Sequence, residues 1–591
     1  MTKLTLFGKF LIWRAKHIKE RQFILFLSLI IGIFSGIAAV LLKNLAHFTY
    51  EFVTDRFSFE RGNFLYLLLP AVGIFLTVIF VKYFVRDDLG HGVSRILYAI
   101  SKKGGLLKVH HTFSSMIASS LTIGFGGSVG LEAPIVLTGS AIGSNLARLF
   151  RLNYKTVILM IGCGSAGAVA GIFKAPIAGV VFTIEILMIE LTLTTLIPLM
   201  ISALTGALIA WLLMGSSVIF FYSIETPFVI NDIPFYIILG LTSGFASLYF
   251  SRAIMMVEAK FDLLKSPFTR VLVGGIILGL LIYMFPSLYG EGYGALMEIL
   301  KGNGESVINQ SLFGSFIDNQ WMFLFLFLLL IFLKAIATAA TSGAGGVGGI
   351  FAPSLFMGGL IGFFTGRFIN IVSVFSVSES NFSLVGMAGV MAGVMHAPLT
   401  AIFLIAEITG GYELFPPLII TATIAYLTTK YFEPHSLYSK KLAERGELIT
   451  HNKDKAVLSL MKADKLIETN FLTVHLNDSL GDLVKVIAKS TRNIFPVVDD
   501  DYNFIGIVFL DKIRDIIFRP ELYDSIHVSD LMFQPEITID IHESMEDIAT
   551  KFQNTDKYNV AVLNDGKYVG FISRARVFSV YRKMLKDFSY D

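Results

Sequence analysis

Long runs of apolar residues constrain most strongly how this chain folds. The runs at 23–42, 64–81, 196–214 and 322–333 reach or approach the roughly 20 residues that a helix needs to cross bilayer hydrocarbon. Because 54% of the 591 residues are hydrophobic and only 16% are charged, a soluble core does not account for these runs. The sequence therefore predicts an all-α polytopic membrane protein that is surrounded by lipid bilayer.

Other apolar segments are short and interrupted by glycine or proline, which predicts broken or re-entrant helices. A bilayer tolerates such helices only where protein encloses them or where they line a cavity. One of these segments, GSVGLEAPIV at 127–136, carries a single carboxylate, Glu132. A carboxylate at membrane depth is energetically costly, and it marks a pathway for ions or protons more often than a packing role.

The membrane region contains an internal duplication. GLEAPIVLTGSAIG at 130–143 aligns with GIFAPSLFMGGLIG at 349–362, and AGIFKAPIAGVVFTIEI at 170–186 aligns with AGVMHAPLTAIFLIAEI at 392–408. Repeats of this kind place substrate sites between the two halves, on the N-termini of discontinuous helices. If each half crosses the membrane an odd number of times, the second half is inverted. The two repeats are then expected at about 23–215 and 233–432.

Both Gly-x-x-Ala-Pro stretches have the composition of a helix start that opens into a break. Glycine lets the backbone approach an ion closely, and proline suits the first helical turn. Unpaired amides and the positive end of the helix dipole then make an anion site that needs neither arginine nor lysine. The alternative is that both stretches are close-packing glycine motifs between spanning helices. The duplication and Glu132 favour the anion site.

The composition becomes polar and charged after about residue 445, which predicts a linker at 445–456 and a second domain. The segments 493–517 and 558–581 each read as a strand, an acidic turn, a strand with glycine and a helix. This α/β region resembles a tandem pair of CBS domains over 457–588.

The remaining composition mainly excludes functions. Residues 1–22 are basic and are predicted to form a cytoplasmic helix without a cleaved secretory signal, ahead of a transmembrane domain at 23–444. The net charge of +3 gives no reason to expect nucleic acid as a partner. The sequence has no P-loop and no paired His/Cys metal spacing, so we expect neither an enzyme nor a metal or cofactor. Cys163 is expected to be a small packing residue.

Four motifs, in this order, resemble those of CLC chloride channels and proton-coupled chloride transporters. GHGVS at 90–94 stands where the family usually has GSGIP, and GLEAP at 130–134 resembles GREGP. GIFAP at 349–353 matches GxFxP, and SLYSKKL at 436–442 resembles the segment with the pore tyrosine.

The resemblance covers essentially the whole chain. It implies a homodimer with one path for small anions, chloride first, in each subunit. The compact loops and the lack of targeting segments suggest a bacterial inner membrane, and the basic N-terminus and the inverted repeat suggest that both termini are cytoplasmic.

The resemblance also implies roles for individual residues. Glu132 matches the gating glutamate, whose ionised carboxylate occupies an anion site and leaves when it is protonated or displaced. The amides of Ile350 and Phe351 and the hydroxyl of Tyr438 are implied to hold the central anion. A carboxylate is itself an anion, so competition with a halide for the same amides also follows from chemistry. The residues expected to line the anion path are His91, Gly92, Leu131, Ile350, Phe351 and Tyr438.

Some positions depart from the family pattern. His91 replaces the serine associated with chloride selectivity; either its imidazole donates to the anion, or backbone amides and Ser94 do so. Leu131 replaces the usual basic residue beside the gate, which lowers the local positive potential. Lys174 and His396 occupy matching loop positions in the two halves, and we interpret them as solvated charges.

The choice between channel and exchanger depends on Ile186. Proton-coupled members carry a second glutamate there, directly after the position that Glu185 matches, and an apolar side chain cannot relay protons. The resemblance therefore implies passive, gated anion transport controlled by Glu132. The alternative is a coupled H⁺/Cl⁻ antiporter that uses Glu132 and a surrogate internal proton site such as Glu190. A regulatory or cation-transporting CBS protein is a third hypothesis, but acidic clusters at the repeat breaks are missing from the sequence.

The CBS pair departs from adenosine-binding relatives as well. The position of their ribose-binding aspartate holds Lys512 in the first domain and Arg576 in the second, and only Ser573 preserves the neighbouring hydroxyl. A basic side chain cannot accept hydrogen bonds from ribose. We therefore expect a structural or dimerising role and not nucleotide binding.

Overall fold

The structure is a computed structural model that describes residues 6–54, 64–90, 92–189, 191–215, 227–316, 318–445, 447, 458, 461–555 and 557–589. The chain divides into two compact units, residues 1–448 and residues 449–591. The expected linker at 445–456 lies almost entirely outside the described residues.

The first unit is helical, as predicted. Its first half comprises α1 (Leu6–His17), α2 (Glu20–Thr54), α3 (Leu65–Ile79, continued by a π-helical turn at Phe80–Val85), α4 (Gly92–Lys102), α5 (Ser114–Gly124), α6 (Glu132–Leu149), α7 (Tyr154–Phe173), α8 (Pro176–Ile186) and α9 (Leu193–Met214). Its second half comprises α10 (Ile233–Asp262), α11 (Pro267–Met284), α12 (Tyr293–Leu300), α13 (Gly304–Asn309), α14 (Gln320–Gly343), α15 (Phe351–Val372), α16 (Glu379–Met395), α17 (Pro398–Thr409), α18 (Phe415–Phe432) and the short α19 (Lys440–Glu444).

Among the described residues, eight helical segments are long and apolar enough to cross a membrane. They are Glu20–Thr54, Leu65–Val85, Tyr154–Phe173, Leu193–Met214, Ile230–Asp262, Pro267–Met284, Gln320–Gly343 and Phe351–Val372. Large apolar side chains such as Leu204, Leu208 and Leu212 on α9 are exposed, as expected of a surface that faces lipid. Together with the short apolar helices α8 and α17, these segments confirm the predicted polytopic fold with broken helices.

The duplication read from the sequence is also present in the packing. In the first half α2 packs against α9 and α6 against α7; in the second half α10 packs against α18 and α15 against α16. Glycines make the closest of these crossings. A Cβ built at Gly143 would lie 1.9 Å from the carbonyl oxygen of Met160, and one at Gly362 would lie 1.9 Å from that of Phe382. The C-terminal glycines of both motifs are therefore packing residues.

The inversion of the second half is visible where α8 meets α17. Glu407, near the end of α17, accepts hydrogen bonds from the amides of Ile177 and Ala178 in the first turn of α8, at 3.1 and 2.8 Å. Glu185, near the end of α8, accepts from the amides of Leu399 and Thr400 in the first turn of α17, at 3.1 and 2.7 Å. Each helix end thus meets the start of the other helix, so the two helices are antiparallel.

We predict that Glu185→Gln and Glu407→Gln each lower the thermal unfolding midpoint of the purified protein. Each change removes a charge from a helix N-terminus and one acceptor from a pair of amides, which together stabilise by about 1–2 kcal/mol. The matched control is Glu298→Gln, because Glu298 pairs with its near neighbours Lys301 and Asn303 and caps no helix N-terminus among the described residues. An unchanged midpoint for both cap variants in a detergent melting assay contradicts the capping role.

The second unit contains two copies of one small motif. The first copy has β1 (Val474–His475), α20 (Leu480–Lys489), β2 (Ile494–Val498), β3 (Phe504–Phe509), α21 (Leu510–Ile513) and α22 (Val528–Leu531). The second has β4 (Ile539–Asp540), α23 (Met545–Gln553), β5 (Asn559–Asn564), β6 (Lys567–Ser573) and α24 (Arg574–Ser589). In each three-stranded sheet the first two strands are parallel and the last two antiparallel. The predicted α/β repeat is confirmed.

Candidate functional site

The two Gly-x-x-Ala-Pro motifs meet at a bridge between the halves. The amide of Gly130 donates to the carbonyl of Gly349 at 2.8 Å, and the amide of Gly349 donates to the carbonyl of Gly130 at 2.7 Å. Helix α6 begins two residues after Gly130, at Glu132, and α15 begins two residues after Gly349, at Phe351. The bridge therefore holds two helix N-termini side by side.

Neither of these N-termini is capped by the side chain of its own N-cap residue. The N-cap residues are Leu131 and Ile350, which have no side-chain acceptor, and Pro134 and Pro353 occupy the third helical positions. The start of α4 joins them at Gly92, where a Cβ would lie 2.6 Å from the carbonyl oxygen of Ala133. Three positive helix ends thus converge, which is a favourable environment for an anion.

The Glu132 carboxylate lies at this junction. The residue is 2% exposed, and its Oε1 accepts a hydrogen bond from the Tyr293 hydroxyl at 2.6 Å. Its Oε2 faces the Gly130 backbone, since a Cβ there would lie 2.0 Å from Oε2 and 2.9 Å from the Ala352 Cβ. Oε2 makes no aligned hydrogen bond within the described part of the chain, although the Ala352 amide is near enough to stabilise its charge. The carboxylate thus lies where the helix N-termini converge.

The other predicted path residues surround this junction where they are described. Leu131, Ile350 and Phe351 are buried, and Tyr438 is buried within electrostatic range of Glu132. The carbonyl of Tyr438 accepts a hydrogen bond from Ser94 Oγ on α4, at 2.7 Å. His91 and Glu190, whose roles the sequence left open, lie outside the described residues.

Two cavities lie at opposite ends of α3. The first, which we name the gate vestibule, has a volume of about 1030 Å³ and includes Tyr293 and Leu131 in its lining. Tyr66, at the start of α3, lines it too. The second has a volume of about 610 Å³ and is lined by Val81, beyond the end of α3, and by the Gly345–Gly348 loop that precedes the bridge. Each open space thus includes residues near the helix-end junction in its lining.

The sequence reasoning missed three polar residues around the junction. They are Tyr293, Glu291 and Lys334. Lys334 is fully buried on α14; its Nζ donates to Ser128 Oγ at 2.8 Å and lies 4.7 Å from the centre of the Phe356 ring. A lysine that directly follows the apolar run 322–333 was the available signal. Lys334 thus places a basic side chain against Ser128, two residues before the Gly130–Gly349 bridge, although Leu131 is apolar.

The structure also changes the interpretation of Lys174 and His396. Lys174 and His396 each end a helix in the left-handed conformation, with φ of 56°, and Lys174 Nζ donates to the carbonyl of Gly215 at 2.7 Å. They are matching C-terminal caps and not simply solvated charges. Ile186 is buried as expected of an apolar residue, and the Glu185 carboxylate beside it is engaged by α17.

In the second CBS motif, the hydroxyl retained at Ser573 is already bonded. Ser573 Oγ donates to Glu468 Oε1 at 2.8 Å, and Arg492 donates to Glu468 Oε2 at 2.7 Å. Partial burial alone would raise the pKa of Glu468, but these two hydrogen bonds hold that pKa below its usual range. Lys512 and Arg576, at the two former aspartate positions, are exposed.

The sequence patterns of two known families match this chain. The family described as voltage gated chloride channel matches residues 73–430, and the CBS domain matches residues 463–519 and 528–583.

Curated and solved relatives agree with these matches. A putative chloride channel protein, ClcB-like, of Ralstonia nicotianae is 30% identical over 389 residues, or 64% of this chain and 86% of that protein. The H(+)/Cl(−) exchange transporter ClcA of Vibrio cholerae is 28% identical over 436 residues, or 71% of this chain and 89% of that protein. The crystal structure of a slow cyanobacterial Cl⁻/H⁺ antiporter superposes with a TM-score of 0.62 at 21% identity, covering 73% of this chain and 99% of that one.

Proposed function

The chain belongs to the voltage gated chloride channel family, and from this premise we propose that it is a coupled antiporter that exchanges small monovalent anions, chloride first, for protons. The passive channel and the coupled antiporter, the two hypotheses made from the sequence, both include family membership and anion transport. Coupling to protons distinguishes the two hypotheses, and we propose coupled exchange in place of the passive channel.

The observation that carries the proposal is the Glu132 carboxylate seated between helix N-termini. An ionised carboxylate and a chloride ion compete for the same positive helix ends, so both cannot occupy the junction at once. Protonation removes the charge of Glu132 and with it the attraction to the junction. A proton taken up by Glu132 therefore frees the place for an anion, and an anion that leaves lets the carboxylate return.

The surroundings of the junction support alternation between two sides. In this proposal Glu132, bonded to Tyr293, is the barrier next to the gate vestibule, and the buried Tyr438, whose carbonyl accepts from Ser94, is the second barrier. Two barriers in series allow one to open while the other stays shut. An exchanger needs that separation, because a path open to both sides at once dissipates both gradients.

Relatives are named for both activities, but exchange is the better supported. The Vibrio cholerae relative is named an exchange transporter over 71% of this chain, whereas the Ralstonia nicotianae relative is named a putative chloride channel over 64%. Ile186 removes one family position for an internal proton relay, but it leaves Glu132 and its partners intact. Glu190 remains the proposed surrogate on the internal side. The converging helix N-termini argue against cation transport.

The test uses purified protein in liposomes under an imposed chloride gradient, with the reversal potential recorded while the pH gradient is varied. Coupled exchange predicts that the reversal potential moves with the pH gradient and that an uphill proton flux accompanies chloride flow. A reversal potential that stays at the chloride equilibrium value for every pH gradient establishes the passive channel instead.

Orientation and assembly are part of the proposal. The basic N-terminal segment supports placing both termini in the cytoplasm of a bacterial cell, so that the gate vestibule, at the far end of α2, faces outward. The family resemblance supports a homodimer. Light scattering of the detergent-solubilised protein tests the dimer, and protease accessibility of the C-terminal unit in inverted vesicles tests the orientation.

We propose that the CBS pair does not bind adenosine nucleotides. The Ser573 hydroxyl is engaged by Glu468, and the two aspartate positions carry cations that cannot accept from ribose. Titration of the full-length protein with ATP, followed by calorimetry, is expected to show no saturable heat. Saturable binding that Ser573→Ala weakens would overturn this proposal.

A further inference from the structure

A second carboxylate, Glu291, reaches the gate from the vestibule side. Its Oε1 accepts a hydrogen bond at 3.2 Å from the amide of Leu131, the residue that directly precedes Glu132. Glu291 is half-buried and lines the gate vestibule together with Tyr293, so it contacts both the gate region and a large open cavity. Glu291 belongs to none of the sequence motifs, and it is separate from the Glu132–Tyr293 hydrogen bond.

The local backbone is built to present these two polar residues together. Gly292, between them, adopts φ of +88°, a left-handed conformation that favours glycine. A Cβ at this position would also lie 2.5 Å from the Phe356 ring. Glycine at 292 therefore lets Glu291 reach the Leu131 amide while the Tyr293 hydroxyl reaches Glu132.

Charged groups from several helices act on Glu291. Lys43 of α2 and Lys334 of α14 attract its negative charge, whereas Glu132 of α6 repels it. Tyr293 of α12 lies within electrostatic range of both carboxylates. Two other titratable residues, His47 and Glu298, also line the vestibule. Burial, followed by the charge of Glu132, raises the pKa of Glu291 above its usual range, against the opposing effect of the lysines.

Because the charge of Glu132 repels that of Glu291, the two carboxylates do not both ionise readily and one proton is shared between them. The gate carboxylate itself is nearly inaccessible in the seated position, with 2% of its surface exposed. A proton that leaves Glu132 therefore needs an acceptor that is close to the gate and also reaches solution. Glu291 meets both conditions.

We propose that Glu291 is the residue through which Glu132 exchanges its proton with the solution in the gate vestibule, an inference that rests on the proposed function. The proton moves from the neutral Glu132 carboxyl to the Glu291 carboxylate and then to water in the vestibule. Glu132 becomes ionised and returns to the helix N-termini, where the Tyr293 hydroxyl donates to it. Uptake follows the reverse order, and Lys43 and Lys334 balance the charge while Glu291 is ionised.

The main alternative is that Glu291 only caps the start of α6 by accepting from Leu131. Glu291→Gln separates the two roles, because the amide oxygen of glutamine still accepts from Leu131 but the side chain no longer takes up a proton. Glu298→Gln is the matched control. It removes a carboxylate from the same cavity, but one that pairs with Lys301 at 2.9 Å.

The experiment measures chloride and proton fluxes from proteoliposomes over a series of pH values that are equal on both sides. Loss of the repelling charge of Glu291 keeps Glu132 ionised to lower pH, so we expect the midpoint of chloride flux in Glu291→Gln to move about one unit to more acidic pH. We expect its proton flux to fall about tenfold. Small diffusible buffers at high concentration restore that flux in part, which a capping residue does not predict.

Each outcome decides one question. An unchanged midpoint and proton flux in Glu291→Gln, or an equal shift in Glu298→Gln, overturns the role of Glu291. Absence of proton flux in the unsubstituted protein overturns the exchanger proposal separately. In that case the chloride midpoint of Glu291→Gln still reports whether Glu291 controls protonation of the gate.

Discussion

Glu132→Gln is expected to abolish proton transport while leaving anion transport that no longer depends on pH. Glutamine has the shape of the protonated glutamate and can still accept from the Tyr293 hydroxyl, but it cannot take up or release a proton. It also lacks the charge that competes with chloride for the helix N-termini. We expect proton flux to fall at least a hundredfold, because a single carboxylate carries both the proton and the gating charge.

The measurement is simultaneous recording of chloride and proton flux from proteoliposomes that contain the variant. Glu185→Gln is the matched control, because its carboxylate caps α17 and does not contact the junction. The control is expected to keep its coupling in spite of lower thermal stability. Proton flux that persists in Glu132→Gln at the level of the unsubstituted protein would show that another group carries the protons.

Tyr293→Phe is expected to have the second largest effect. The Tyr293 hydroxyl donates a 2.6 Å hydrogen bond to the Glu132 carboxylate, and a hydrogen bond to a charged group stabilises by about 1.5–3 kcal/mol. Loss of that bond disfavours the seated, ionised gate by roughly tenfold to 150-fold. The midpoint of chloride flux should therefore move one to two units, in order of magnitude, toward more alkaline pH.

The same flux assay over a pH series checks this expectation. Tyr289→Phe is the matched control: Tyr289 lines the same vestibule, but its hydroxyl donates to the carbonyl of Gly124 at 2.9 Å. If chloride flux has the same midpoint pH in Tyr293→Phe and Tyr289→Phe, the hydrogen bond from Tyr293 does not stabilise the ionised Glu132 carboxylate. The alkaline shift is opposite in sign to the acidic shift expected for Glu291→Gln, so the two roles cannot be confused.

The glycine motifs show that a local sequence pattern does not reveal why a glycine is needed. Close packing and an anion site were alternatives in the sequence, and within one motif the structure has both the close packing and the helix N-termini on which the proposed anion site depends. Gly143 and Gly362 make backbone crossings, whereas Gly130 and Gly349 bridge the halves and free the helix N-termini. A linear pattern records that a small residue is needed, but the reason depends on what lies opposite it.

The amino-acid sequence was enough to predict the membrane class, the two repeats, the CBS pair and Glu132 as the central charge. These follow from apolar run length, from repeated spacing and from the rarity of a carboxylate in an apolar segment, which are properties of neighbouring residues. The groups that act on the charge of Glu132 could be identified only from the folded chain. Tyr293 contacts Glu132 from 161 positions away, Glu291 repels it from the segment just before α12, and Lys334 of α14 in turn attracts Glu291. Such contacts depend on how the two halves pack against each other, and no local spacing encodes that packing.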